Sequence, residues 1–516
     1  IVFLKQFSSI LSSPLLLSIL FFLNSKLVAN EQQHLTQTHE FKPGWSFYLV
    51  LAGVTTTFGS SLPVGFNIGV VNSPAEIIKT FCNESFISRY DLPLNKTWLN
   101  ILWSSIVSIF IVGGCTGSIL GSFFADKFGR KQATIITNLL SIAGAILFLF
   151  CRAANSVEML IIGRLLVGLA GLTTSIVPMY LTELSPPGLS GAMGVACPIG
   201  VNAGVLVGQV MGLDVILGGA NDWPYLLSVY ALLVIISLPI LFILPESPKY
   251  LFVVKRNELI SLELSRLRGE NPSVLTEDLE LLREEVQAEA SNSGEKWGMW
   301  RVLREPKLRL PLLLTCTMQA GQQTSGINAV FYYSQTIFEQ AGLSAAQAQL
   351  ATIGCGTVNV CTALAMPQLL PRAGRRPLLL GSAAAAAALL DAVSWMPYVC
   401  IAAVVSYVLV FGFGLGPIPY FIASELFEVR GRAGGMAWGS LANWAGNFLV
   451  GMSFPSLRDA AGAASFLVFA ALTAALFCFQ RFYFPETKGK TPTQVAQLCG
   501  RGLKSRPLSG RAHGPV

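Results

Sequence analysis

Charge is what this chain has least of. Only 12% of its 516 residues are Asp, Glu, Lys or Arg, against 53% hydrophobic. A water-facing surface needs roughly twice that charged share, so a soluble multidomain protein is excluded. Mean hydropathy is +0.58. Histidine is scarcer still: His34, His39 and His513 all lie near the ends, which leaves no His-based metal centre or Ser-His-Asp constellation for the core. The ten cysteines show no CxxC spacing. Eight of them sit in or beside apolar runs and read as small core hydrophobes. No GxxxxGK[ST] string occurs, so nucleotide drive is unsupported. The net charge of +7 is spread thinly and is no nucleic-acid footprint. Residues 46–72 hold no Asp, Glu, Lys, Arg or His and so no obvious proton relay or acidic Na⁺ pocket. No cofactor, metal, nucleotide or nucleic-acid partner is expected, and no enzyme activity.

What the chain has instead is long apolar runs. They cover about 46–70, 101–125, 132–151, 158–181, 192–213 and 226–244, then 309–333, 348–370, 377–394, 398–423, 436–456 and 462–484. Each approaches the ~20 residues needed to cross ~30 Å of hydrocarbon. The reading is an all-α multispanning membrane protein with twelve helices. The expected divisions are an N-terminal extension of uncertain status (1–40), a first six-helix half (41–248), a cytoplasmic helical insert (249–307), a second half (308–485) and a cytoplasmic tail (486–516). Basic connectors (Lys127, Arg130 and Lys131; Arg372, Arg375 and Arg376; Lys249, Lys255 and Arg256) mark the cytoplasmic side. Both main termini then fall in the cytoplasm, unless the apolar stretch 8–24 adds a span. The loop 71–100 falls outside and carries the glycosylation sequons of Asn83 and Asn95, with Asn95 close to the second span. In the insert, 275–290 reads as an amphipathic helix with Leu279, Leu282 and Val286 on one face.

The halves echo each other. DKFGRK at 126–131 matches RAGRR at 372–376, MYLTELSP at 179–186 matches YFIASELFE at 420–428, and PESPKY at 245–250 matches PETKGK at 485–490. The three offsets are nearly constant, the mark of two parallel-related halves. Asp126, Arg130, Glu183 and Glu246 in one half, with Arg375, Arg376, Glu425, Arg432 and Glu486 in the other, read as charge latches holding one face shut. Arg164 lies near the opposite end and stays outside that cluster.

An amide set stands inside the hydrocarbon. Gln319, Gln322 and Gln323 share one helical face. Asn328 follows near Gly326, Asn359 lies in span eight, and Asn443, Trp444 and Asn447 in span eleven. Amides both donate and accept, as sugar hydroxyls require. Mutual helix–helix bonding is the plainer use for such groups. Gly412, Gly414, Gly416, Pro417 and Pro419 predict a broken helix beside the set.

On the strings GR (163–164), PESPKY, GQQTSGINAVFYYS (321–334), GPIP (416–419), NW (443–444) and PETKGK, residues 41–495 resemble the facilitative hexose transporters, the sugar porter branch of the major facilitator superfamily. The resemblance implies the major facilitator fold, alternating access, a monosaccharide partner in a cell membrane, and sugar contacts at Gln319, Gln322, Gln323, Asn328, Asn359 and Trp444. Asn447 and Tyr420 join them as candidate ligands; Tyr420 stands where the family usually has Trp. Tyr332 and Tyr333 match an outer gate. The chain departs at Pro63 and Pro198, where the family carries sugar-facing Gln. Asn67 and Asn202 stand nearby. Downhill uniport of D-glucose is the expected function, with D-fructose next. A sugar sensor or transport-inactive relative is the alternative.

Overall fold

The computed structural model describes residues 45–516 except 92, 187–188, 190–192, 214, 254–256, 269–275, 277–278, 281–282, 284–298, 370–373, 393–396, 428, 489, 491, 500–501 and 506–516. The N-terminal extension therefore lies outside the described residues. Those described are helical throughout, with no strand among them.

The first repeat opens with α1 (Phe47–Thr56), a π segment (Thr57–Ser61) and α2 (Leu62–Gly69). The π turn ends two residues before Pro63, which has no N–H to continue an α-ladder. Then come α3 (Ala75–Tyr90), α4 (Lys96–Phe128), α5 (Arg130–Cys151) and α6 (Val157–Leu169). After a short 3₁₀ turn follow α7 (Thr173–Leu184), α8 (Ala196–Met211), α9 (Trp223–Ser228) and α10 (Ala231–Ile243). The insert supplies α11 (Pro248–Val253), α12 (Asn257–Arg268) and α13 (Met299–Arg304). The second repeat holds α14 (Arg309–Thr324), α15 (Ile327–Gln340), α16 (Ala345–Leu369), α17 (Arg375–Ala392) and α18 (Pro397–Phe413). It continues with α19 (Ile418–Leu426), α20 (Val429–Ala461) and α21 (Ser465–Tyr483), and α22 (Pro492–Cys499) ends the described helices.

Helix occupies every apolar run. Eight stretches among the described residues are long and apolar enough to cross a bilayer: Phe47–Gly69, Lys96–Gly121, Arg130–Cys151, Val157–Leu184, Trp223–Ile243, Ala345–Ala365, Ile401–Ala423 and Ser465–Tyr483. α8 is apolar but shorter. The others fall below that measure for a physical reason. α14 carries three glutamines and stops at Gly326, α17 begins with two arginines, and α20 carries Asn443, Asn447 and Arg458.

One sequence expectation is corrected at the start. The segment 71–100 is not a loop, since α3 fills most of it. α3 is docked by Ser85 Oγ donating to the Asn155 carbonyl (2.8 Å) and by Arg89 pairing with Glu158 (2.6 Å). Asn83 is half-buried, its Oδ1 accepting from Leu94 N at 3.0 Å. Asn95 is the N-cap of α4, accepting from Trp98 N at 2.9 Å. In the insert, Leu279 packs on Leu251, Ile260 and Leu264, while Leu282 and Val286 lie outside the described residues.

The repeats meet along two lines, α4 against α20 and α8 against α16. Within the first repeat α8 lies flush on α2. A Cβ on Gly65 would come within 1.8 Å of the Val201 carbonyl oxygen, and one on Gly204 within 2.1 Å of the Leu62 carbonyl oxygen. Only hydrogen fits there, the small-residue packing that membrane helices use in place of a hydrophobic drive.

Candidate functional site

The site is built from helix breaks. α14 ends at Gly326, whose φ of +91° places it in the left-handed region, which glycine enters without a Cβ penalty. α18 and α19 are separated by the turn 414–417, capped by Pro417 with Pro419 in the first turn of α19. Leu415 N finds Ser382 Oγ at 3.0 Å in place of a helical carbonyl.

The amides converge on these breaks. Gln319 Nε2 donates to the Pro419 carbonyl (2.9 Å) and Gln322 Nε2 to that of Gly416 (2.5 Å). Asn443 Nδ2 donates to Gln319 Oε1 (2.8 Å) and Gln322 Oε1 (2.7 Å). Gln323 Nε2 donates to Gln322 Oε1 (3.3 Å) and its own Oε1 accepts from Asn328 Nδ2 (2.5 Å). All three glutamines and Asn443 are buried. Asn443 is thus the hub, although the sequence reading placed it in the set without assigning it to the ligand. Its signal was the spacing to Asn447, one turn on along the same face.

The remaining candidates distribute around this knot. Trp444 Nε1 donates to Ser118 Oγ of α4 (2.9 Å), across the repeats. Asn359 Nδ2 donates to Asn202 Oδ1 of α8 (2.9 Å), also across them. Asn447 is buried with its Oδ1 unpartnered. Tyr420 stands past the break, 62% exposed. Tyr332 and Tyr333 are buried, and the Tyr333 hydroxyl donates to the Gly451 carbonyl (3.2 Å). Near them Asn72 Nδ2 donates to Ser334 Oγ (2.5 Å) and Asn100 Nδ2 to Asp459 Oδ2 (2.8 Å). Both bonds tie the repeats together at the end of the molecule that carries α3.

At the opposite end, beside the insert, the predicted charges assemble twice in the same way. Arg130 pairs with Glu183, Nε to Oε2 at 2.8 Å, both nearly buried. The Glu183 carboxylate also accepts from Ser247 Oγ. Arg375 pairs with Glu425 at 3.3 Å, and Glu425 accepts from Thr487 Oγ1. Glu246 Oε1 accepts the backbone N–H groups of Arg130 (3.0 Å) and Lys131 (3.1 Å). Glu486 accepts those of Arg375 (3.0 Å) and Arg376 (3.2 Å). These two glutamates therefore cap the first turns of α5 and α17, where a carboxylate meets unpaired N–H groups and the positive end of the helix dipole. Burial raises the Glu246 carboxyl above its ordinary range, against the lowering effect of the N–H groups it accepts.

The latch reading takes a different form in this arrangement. Arg130–Glu183 and Arg375–Glu425 each join helices of one repeat and so brace that repeat internally. Asp126 lies 3.4 Å from Arg130 but is 73% exposed, a weak partner in water. The Arg376 guanidinium donates to the Arg481 carbonyl (3.0 Å), and Arg432 Nε is buried without a partner. Arg164 stays outside the cluster. It is fully buried, donating to the carbonyls of Asn67 (2.8 Å) and Ile106 (3.4 Å) and lying 4.7 Å over the Phe110 ring.

The fold, a polytopic helical bundle in two repeats with an uncharged amide knot at helix breaks, is of the major facilitator type. The chain matches the inward-open structure of the xylose transporter XylE from E. coli with a TM-score of 0.73 at 20% identity, over 87% of this chain and 99% of that one. A partially occluded inward-open form of the same transporter gives 0.71, over 86% and 100%. Residues 52–498 match the family model described as sugar (and other) transporter, and the chain belongs to that family. It is 40% identical over 462 residues to the facilitated glucose transporter member 1 of solute carrier family 2 from Gallus gallus, covering 86% of this chain and 92% of the relative. It is 41% identical over 463 residues to member 3 from Ovis aries, covering 87% and 92%.

Proposed function

We propose that the protein is a plasma-membrane uniporter that carries a hexose down its gradient by alternating access, D-glucose first and D-fructose second. In this reading it has twelve spans in two six-helix halves, with both main termini, the insert and the paired charge clusters in the cytoplasm. α3 then lies outside with Asn83, the sequon farther from the membrane. The bonds at Asn72 and Asn100 close the outer end, and the exposed Tyr420 faces the inner opening. The conformation described is then inward-facing.

The observation that carries the reading is the bonding of Gln319 and Gln322 to the carbonyls of Pro419 and Gly416 across the broken α18–α19 element. A hydroxyl-rich ligand can exchange with these bonds one for one, because each amide donates and accepts. Ligand occupancy is thereby coupled to the helix that bends. Gln322, Gln323 and Asn328 form the centre of the ligand site, flanked by Gln319, Asn359, Trp444, Asn447 and Tyr420, with Tyr332 and Tyr333 as the outer gate.

The test is counterflow of labelled D-glucose and D-fructose into proteoliposomes. Saturable exchange independent of a proton gradient is expected, reduced at least about tenfold by Gln322→Ala. Well-folded protein that exchanges neither sugar would end this reading and favour the sensor.

A further inference from the structure

Position 198 is proline, and no amide can project from it. The same face of α8 recurs every three to four residues, and one turn on is Asn202. Its Oδ1 accepts from Asn359 Nδ2 at 2.9 Å. Asn202 is half-buried and Asn359 buried. This bond lies on the α8–α16 line, one of the two along which the repeats meet. Two turns farther along that face stands Gln209, 3% exposed, with neither Oε1 nor Nε2 hydrogen-bonded. It points at α16, since a Cβ on Gly356 would come within 2.2 Å of its Oε1. Gly356 is one turn from Asn359. α8 therefore presents two amides to the seam, one bonded to a candidate sugar ligand and one with nothing bonded.

A direct amide–amide bond across a moving seam holds a place for a ligand. It satisfies the Asn202 oxygen and an Asn359 N–H while the path is empty. A pair of adjacent hydroxyls can replace it without leaving either amide unpaired, which would be costly in hydrocarbon. Gln209, buried and unpartnered, marks the same strip as polar space that this conformation leaves unused.

We propose that Asn202 is the sugar-contacting residue of the first repeat, and that the hexose displaces its bond to Asn359 and is held between them. The inference rests on the hexose-transport reading. It locates the first-repeat contact one turn from Pro198, on a side chain whose shorter reach sets which ring hydroxyls are read.

The experiment measures equilibrium exchange and direct binding of D-glucose and its monodeoxy analogues. It compares wild type, Asn202→Val, Asn202→Ser and Gln322→Ala in proteoliposomes. Asn202→Val is expected to raise KM about tenfold, as loss of one ligand hydrogen bond does, with kcat changed less than about twofold. It is also expected to lose discrimination against one deoxy analogue that the wild type rejects. Asn202→Ser, which keeps a hydroxyl, is expected to recover part of both, and it carries the test should the valine variant not fold. Unchanged KM and an unchanged analogue profile in a folded Asn202 variant would overturn the proposal while leaving transport intact. Wild type that neither exchanges nor binds any hexose would overturn both readings, and Gln322→Ala tells that failure from a local one.

Discussion

Arg164 shows what one residue can fix and what it costs. Its guanidinium has no exposure, donates to no carboxylate among the described residues, and is held by two carbonyls and the Phe110 face, with Nη2 left over. Arg164→Lys keeps the charge but loses the planar fork and the stacking. Arg164→Met removes the charge and leaves the carbonyls in their helices. The thermal midpoint in detergent should therefore fall in the order wild type, Met, Lys, with Lys destabilised by about 2–3 kcal/mol; a Lys variant as stable as Met would refute the account. Glu246 gives a pH prediction. Burial holds its folded pKa above the unfolded one, so the folded state binds the proton more tightly. Its stabilising effect is full below the unfolded value and is lost as pH rises through the folded one. As pH rises above the unfolded carboxyl value of about 4.3, melting curves of Glu246→Gln should show a flatter decline than wild type. Gly129, at φ +94°, sits where any Cβ would come within 2.4 Å of Glu246 Oε2. Gly129→Ala should lower the midpoint more than Glu246→Gln, because it adds backbone strain to the lost cap.

The elements are governed by how closely backbones approach and where they break. α2 and α8 touch through glycine positions, so bulk there separates the helices outright. Gly204→Ile should abolish folded protein, read as loss of the monodisperse peak on size exclusion, with no rescue by sugar. A folded Gly204→Ile would show that α8 is not held as described. The breaks at Gly326 and at 414–417 were legible from residue type, since Gly and Pro act on their own backbone. The short helices of the insert were legible only as amphipathic pieces. That α12 lies on α1, with Arg266 5.2 Å over the Tyr48 ring, and α13 on α20, with Trp438 Nε1 donating to the Met299 carbonyl at 2.9 Å, depended on surfaces far away in the chain.

At the scale of the whole molecule the repeat has a physical content. The arginine, the two glutamates and the hydroxyl residue after the second glutamate reproduce one bonding pattern at each of two places. Since each pattern lies inside a repeat, the repeats can move as braced units. The bonds that cross between them at the α3 end then set the preference for one conformation. Asn72→Ala removes the donor to Ser334 and should shift the population toward opening at that end. Its expected signature is at least about threefold faster labelling by an impermeant maleimide of a cysteine introduced at Ser104, which is buried one turn from Asn100 at that end and takes no part in the Asn72 bond, for a change near 1 kcal/mol. An unchanged rate would place the preference elsewhere.

The sequence by itself determined the solvent, the helices, the two-fold repetition, the amide face of α14 and the positions of the breaks. Each follows from composition, from the 3.6-residue period, or from a residue acting on its own backbone. The partners were decided only in three dimensions. Glu246 and Glu486 cap helices and do not pair with arginine side chains, and the ion pairs brace repeats from within. Asn443 is the hub of the amides, and Asn202 takes up Asn359. A side chain's type says what it can bond, but which group it meets depends on the helices that abut it. That choice is made by packing among segments a hundred or more residues apart.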